Sequence, residues 1–241
     1  LGIVMLSIVG WEVLGKRVSV RIPRWIPLLL LGSSWIGFAL QWHEAGSGRK
    51  ASFEEARPIV CLGDSLSAKG YPAELGRRLR VQVLDFAHPG ITTGDALERL
   101  PEILAARPQA VLVELGGHDY LEGITRQQTR KNLETLIAAT RGIGAEVILF
   151  EVPRGFMMDP FGGLERQLAR DHDLELISDG AIRQLVLFSR GSPLVRLGGP
   201  CLSEDGLHPN MEGHRRLADA AARALRHVYG GSMFSEGFRQ E

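Results

Sequence analysis

Two cysteines in 241 residues are too few for a disulfide scaffold, and a net charge of zero leaves no excess of either sign. The basic residues form no stripe that could track phosphates, so a nucleic-acid partner is not expected. His43, Glu44, Asp85 and His88 lack the spacing of a metal-ligand set, and neither a metal nor an organic cofactor is expected. No internal repeat is visible, which argues against a solenoid. Cys61 sits in a strand-like run and reads as a small buried hydrophobe. Cys201 lies four residues before Asp205, and whether the two cysteines pair is left open, because spacing alone carries no bridge geometry.

Long apolar runs are scarce. One stands out, Trp25 to Trp42, eighteen residues without a charge and rich in Leu. As a helix it spans roughly 27 Å, close to the hydrocarbon thickness of a bilayer. Trp25 and Trp42 at its ends suit the interfaces, and a transmembrane helix over about 25–42 is expected within a membrane-associated region 1–43. Lys16, Arg17, Arg21 and Arg24 precede the run, so the positive-inside rule puts the following domain outside the cytoplasm. The alternatives are a cleaved signal peptide, leaving a secreted domain, and a buried core helix. The chain opens on Leu1, not Met, and a start upstream is expected.

Residues 44–57 read as a polar tether. Beyond them, short apolar runs alternate with helical patterns. Strands are expected at Ile59–Leu62, Val81–Phe86, Ala110–Leu115, Glu146–Val152 and Leu174–Ile177. Helices are expected at Pro72–Leu79, Asp95–Ala106 with Asp95 as N-cap, Arg126–Arg141 and Phe161–His172. A last helix begins after Asn210, carries the stripe Leu217, Ala221, Leu225 and Val228, and stops at Gly230. This order predicts an α/β fold over 58–230, a three-layer α/β/α sandwich on a mostly parallel, flavodoxin-like sheet. The tail 231–241 reads as frayed.

The chemistry concentrates in two segments. Gly63-Asp64-Ser65-Leu66 closes the first strand, where a glycine turn can present a nucleophile. Asp205-Gly206-Leu207-His208-Pro209 holds an acid and an imidazole three residues apart. A serine hydroxyl needs a base, and the base needs an orienting partner. Taken singly, Ser65 could cap a helix and Asp205 could shape a turn.

With His88-Pro89-Gly90-Ile91-Thr92-Thr93-Gly94-Asp95 and Glu114-Leu115-Gly116-Gly117-His118-Asp119 between them, the four ordered blocks resemble those of the GDSL, or SGNH, hydrolases over roughly residues 58–229. Leu112 to Gly117 and the Leu100-Pro101 segment are similar to the thioesterase I, lysophospholipase and arylesterase group. The resemblance implies Ser65 as nucleophile, His208 as base, Asp205 as its orienter and no cofactor. It implies an oxyanion hole built from the Ser65 N–H, a second-block glycine and a third-block side chain. Gly94 is favoured as that glycine over Thr93, because a backbone N–H approaches a substrate closely only where no side chain intrudes. His118 stands where the family carries Asn, and a ring nitrogen donates only in the right tautomer or when charged.

Asp64 and Asp119 are expected to shape turns, and His214 and His227 to be solvated. Lys69 and Tyr71 fit either the pocket or the surface. The expected substrate is an acyl ester, a lysophospholipid, fatty or aryl ester, at a membrane face. A carbohydrate O-acetylesterase, an acyltransferase and a weakly active domain binding acylated glycans are the alternatives. The oligomeric state is open.

Overall fold

The structure, a computed structural model, describes residues 50–68, 70–154, 159–187 and 201–238. Five short strands form one parallel sheet: β1 (Ile59–Gly63), β2 (Val83–Asp85), β3 (Ala110–Glu114), β4 (Glu146–Phe150) and β5 (Glu175–Ile177), in the order β2-β1-β3-β4-β5. β1 and β3 run in register from Ile59 opposite Ala110 to Gly63 opposite Glu114. Both are buried at every position, which is why they are continuous apolar runs and do not alternate.

Helices cover both faces. Ile59 and Cys61 point into one core with α1 (Tyr71–Gly76), α7 (Gly180–Leu187) and α8 (Met211–Tyr229). Val60 and Leu62 point into the other, with α2 (Thr93–Glu98), α3 (Leu100–Ala105), α5 (Arg126–Gly142) and α6 (Leu164–His172). Each large aliphatic side chain buried in these cores contributes about 1.5–3 kcal/mol relative to exposure. The chain leaves β1 for β2 on one side and reaches β3 on the other. The crevice at their carboxyl ends is therefore the switch point where open α/β sheets bind ligands.

Several local expectations are corrected. The single helix read at Asp95–Ala106 is two, because Pro101 has no N–H to continue the ladder and starts α3 instead. Thr92, not Asp95, is the N-cap of α2, and Asp95 completes its capping box from the third position. α6 starts at Leu164 and not at Phe161, since Gly162 and Gly163 adopt left-handed backbone just before it. The short helices α4 (Gly117–Leu121) and α7 were not anticipated.

Two segments read as loose are docked. In the tether, Ala51 N–H donates to the Val228 carbonyl at 3.0 Å, and Ala51 and Phe53 pack on the α8 core. In the tail, Met233 and Phe234 are buried, and Arg80 N–H donates to the Met233 carbonyl at 2.9 Å. His214 is half-buried, packed over Gly70, whereas His227 is exposed as expected and meets Glu175 at 2.7 Å. The expected membrane segment lies outside the described residues. Among those described, no helix is long and apolar enough to cross a membrane.

Candidate active site

β1 ends in a tight turn. The Asp64 carbonyl accepts from Ser67 N–H at 3.2 Å and Ala68 N–H at 3.0 Å, while Asp64 Oδ1 accepts from Leu66 N–H at 2.9 Å. The turn thus uses the N–H groups on the far side of Ser65. Ser65 N–H itself donates to no protein group among the described residues, and the residue is half-buried at the crevice. Gly63 cannot be replaced cheaply, because a Cβ there would overlap the Ser67 side chain and stand 3.1 Å from the Glu114 carbonyl.

The acid and imidazole come from a narrow loop before α8. Leu202 bridges Pro209, Ser203 N–H donates to the His208 carbonyl at 2.8 Å, and Gly206 turns the chain with φ +71°. Asp205 Oδ1 accepts from Leu207 N–H at 2.9 Å and His208 N–H at 3.0 Å, and Oδ2 lies 2.7 Å from His208 Nδ1. The Leu207 N–H, then the His208 ring and His208 N–H, hold the Asp205 carboxyl down to about 2. It is therefore ionised across the neutral range and fixes the ring. Asn210 then caps α8, accepting from Glu212 N–H and Gly213 N–H.

The third block is squeezed from both sides. Gly116 is left-handed at φ +103°, and its carbonyl accepts from Arg154 Nε at 2.9 Å. A Cβ on Gly117 would stand 3.1 Å from Asp64 Oδ2. This fixes the start of α4 and with it His118, half-buried at the crevice. Asp119 is fully buried. Its Oδ2 accepts from Thr93 N–H at 2.8 Å, and its Oδ1 accepts from the hydroxyls of Thr93 and Thr129. It thereby ties the second block to the third, the turn-shaping role expected of it.

Asp64 connects the distant segments. Burial pushes its carboxyl up. The Leu66 N–H, a hydrogen bond to Glu114 and the charges of His118 and His208 pull it back. The charges of both imidazoles thus reach the residue that precedes Ser65. The second-block glycine beside His118 is Gly90, where a Cβ would stand 3.9 Å from Cε1. Gly94, the glycine expected from the sequence, faces Thr92 and Asn132 inside α2. Gly90 is left-handed at φ +80°, and its N–H donates to no backbone carbonyl among the described residues.

Sequence reasoning also passed over Glu114 and Arg154. A lone acid at the end of an apolar strand was the available signal for the first. The partners of the second lie five and eleven residues further on and carry no short-range pattern. Cys61 and Cys201 are both free and buried, and burial pushes the Cys61 thiol up to about 12, far from a reactive thiolate. Among the described residues no group of three or more His, Cys, Asp or Glu side chains could hold a metal ion.

The profile of the GDSL-like lipase/acylhydrolase family matches residues 61–216. The thioesterase 1/protease 1/lysophospholipase L1 of Escherichia coli K12 is 30% identical over 185 residues, covering 70% of this chain and 84% of that protein. The arylesterase of Vibrio mimicus is 29% identical over 193 residues, 73% of this chain and 91% of the relative. A crystal structure of TesA superposes with a TM-score of 0.58 at 25% identity, over 70% of this chain and 98% of its own. With the four blocks gathered at one sheet edge, the chain belongs to the GDSL-like lipase/acylhydrolase family and is a carboxylic-ester hydrolase.

Proposed function

We propose that Ser65, His208 and Asp205 act together as the triad of a membrane-anchored serine esterase. The observation that carries this reading is the Asp205–His208 pair at 2.7 Å, whose imidazole acts electrostatically on the residue next to Ser65. With Nδ1–H donating to Asp205, the Nε2 lone pair is left to take the Ser65 proton. Ser65 Oγ then attacks the ester carbonyl, His208 protonates the leaving alcohol, and water cleaves the acyl-enzyme by the reverse path. The oxyanion is received by the Ser65 N–H, the Gly90 N–H in place of Gly94, and a ring N–H of His118. A fluorophosphonate probe tests this. It should form one adduct, mapped to Ser65, and an intact protein that takes no label would leave a binding domain as the better description.

The surface beside the site favours an apolar acyl group. Tyr120, Leu121, Leu207 and Met211 are four of the five exposed large hydrophobic side chains of the described residues. All four lie within three residues of His118 or His208. Relatives named a lysophospholipase and an arylesterase agree with lysophospholipid, fatty or aryl esters as substrates. The apolar run 25–42 would hold the domain at the outer face of a membrane, where such esters concentrate. Replacing Leu121 and Leu207 together by Ser should raise KM for long acyl esters about tenfold while leaving acetate esters nearly unchanged. An equal change for both would detach these side chains from acyl recognition.

A further inference from the structure

Glu114 is the last residue of β3, directly opposite Gly63 in register and only 2% exposed. Its Oε2 accepts from Ser67 Oγ at 2.9 Å and from Asp64 N–H at 3.3 Å. Its Oε1 is sealed from water and receives no donor among the described residues. The Asp64 carboxyl belongs to the same residue whose N–H Oε2 holds, and the two acids interact directly. Two buried carboxyls can share a hydrogen bond only if one of them carries a proton.

The surroundings decide which one. Asp64 has the Leu66 N–H on Oδ1 and two imidazoles in its field. Glu114 is surrounded by Asp64, Ser67 and, from α1, the Tyr71 hydroxyl. None of these is a cation. Arg154, behind Gly116, is committed to Glu165 and Asp159. The charge therefore belongs on Asp64 and the proton on Glu114.

We infer that Glu114 is a neutral carboxylic acid whose Oε1–H donates to the Asp64 carboxylate, making it the positioning residue beneath the nucleophile turn. Burial, reinforced by the charge of Asp64, pushes the Glu114 carboxyl well above its ordinary range, in line with the geometry. The pair keeps one negative charge, not two, under the crevice. That single charge acts on His208 through space and stabilises the imidazolium formed as Ser65 loses its proton. This consequence rests on the triad proposed above; the protonation of Glu114 does not.

Glu114→Gln is the deciding variant. The amide NH₂ reproduces the donor to Asp64, and its carbonyl still accepts from Ser67 Oγ and Asp64 N–H. It should keep kcat within about threefold of the parent, whereas Glu114→Ala, which strips both roles, should lose about tenfold or more. A second readout needs no catalysis. The unfolded chain ionises this glutamate near its ordinary 4.5 while the folded state holds the proton. Unfolding then releases a proton, and the parent's stability falls as pH rises from there toward the raised folded value. Glu114→Gln has no such loss, so its melting temperature should gain on the parent's as pH rises from mildly acidic to neutral. A melting difference independent of pH, or a Gln variant as slow as the Ala variant, would overturn the inference. If the probe fails to label Ser65 while the pH-dependent difference appears, the triad falls and the assignment of Glu114 stands.

Discussion

In the Ser65→Ala variant kcat is expected to fall by roughly 10⁵-fold or more, to the residual level that an oxyanion site and substrate binding provide alone. The melting temperature should barely move. The hydrogen bonds that hold this turn run through the Asp64 carbonyl and carboxyl, to Leu66, Ser67 and Ala68, and none requires Ser65 Oγ. Loss of activity without loss of fold is therefore the signature of a nucleophile here, and a stability loss would mark a structural serine. The double variant Ser65→Ala/His208→Ala should be no slower than either single variant, because a base with no hydroxyl to deprotonate contributes nothing further. Multiplicative losses would mean that the two residues act separately. Steady-state kinetics on one aryl ester, paired with thermal melts, give both answers.

The layers of this fold were legible because parallel strands buried on both faces must be short apolar runs, and Ile59–Gly63 and Ala110–Glu114 have no other reading. Ser65, Asp205 and His208 could be proposed because their motifs keep short fixed spacings, and the charges of both imidazoles reach Asp64. What escaped depends on backbone angles and on partners distant in sequence. Gly94 looked suitable because it lacks a side chain; Gly90, proposed above in its place, lacks one too and has the left-handed backbone, beside His118, that no sequence spacing reports. The tail looked frayed because Ser232, Ser235 and Gly237 are poor element formers. Met233 and Phe234 nevertheless find a slot against residues 78–80, about 150 positions earlier. Glu114 was read as one letter of a motif. Its chemistry follows only when Asp64 is seen across the sheet edge.

The largest stability effect should come from Arg154→Met. The Arg154 side chain is 0% exposed and its partner Glu165 2%. The guanidinium pairs with Glu165, reaches Asp159 at 3.4 Å and the Val152 carbonyl at 3.1 Å, and stacks 4.6 Å from the Phe161 ring centroid. Removing it strands a buried carboxylate, which typically costs about 3–5 kcal/mol. In a domain of this size that corresponds to a melting temperature lower by about 10 °C or more. Burial already pushes the Glu165 carboxyl up against the pull of Arg154, so without the guanidinium the acid will hold a proton over a wider pH range. Arg154→Met/Glu165→Leu should recover most of the stability, because replacing a whole buried pair by apolar groups is nearly neutral. Activity should not return with it. Arg154 Nε also holds the Gly116 carbonyl at 2.9 Å, the brace behind the left-handed turn that delivers His118. A double variant that melts like the parent but keeps a reduced kcat separates that bracing from the ion pair. Full recovery of both would confine Arg154 to stability alone.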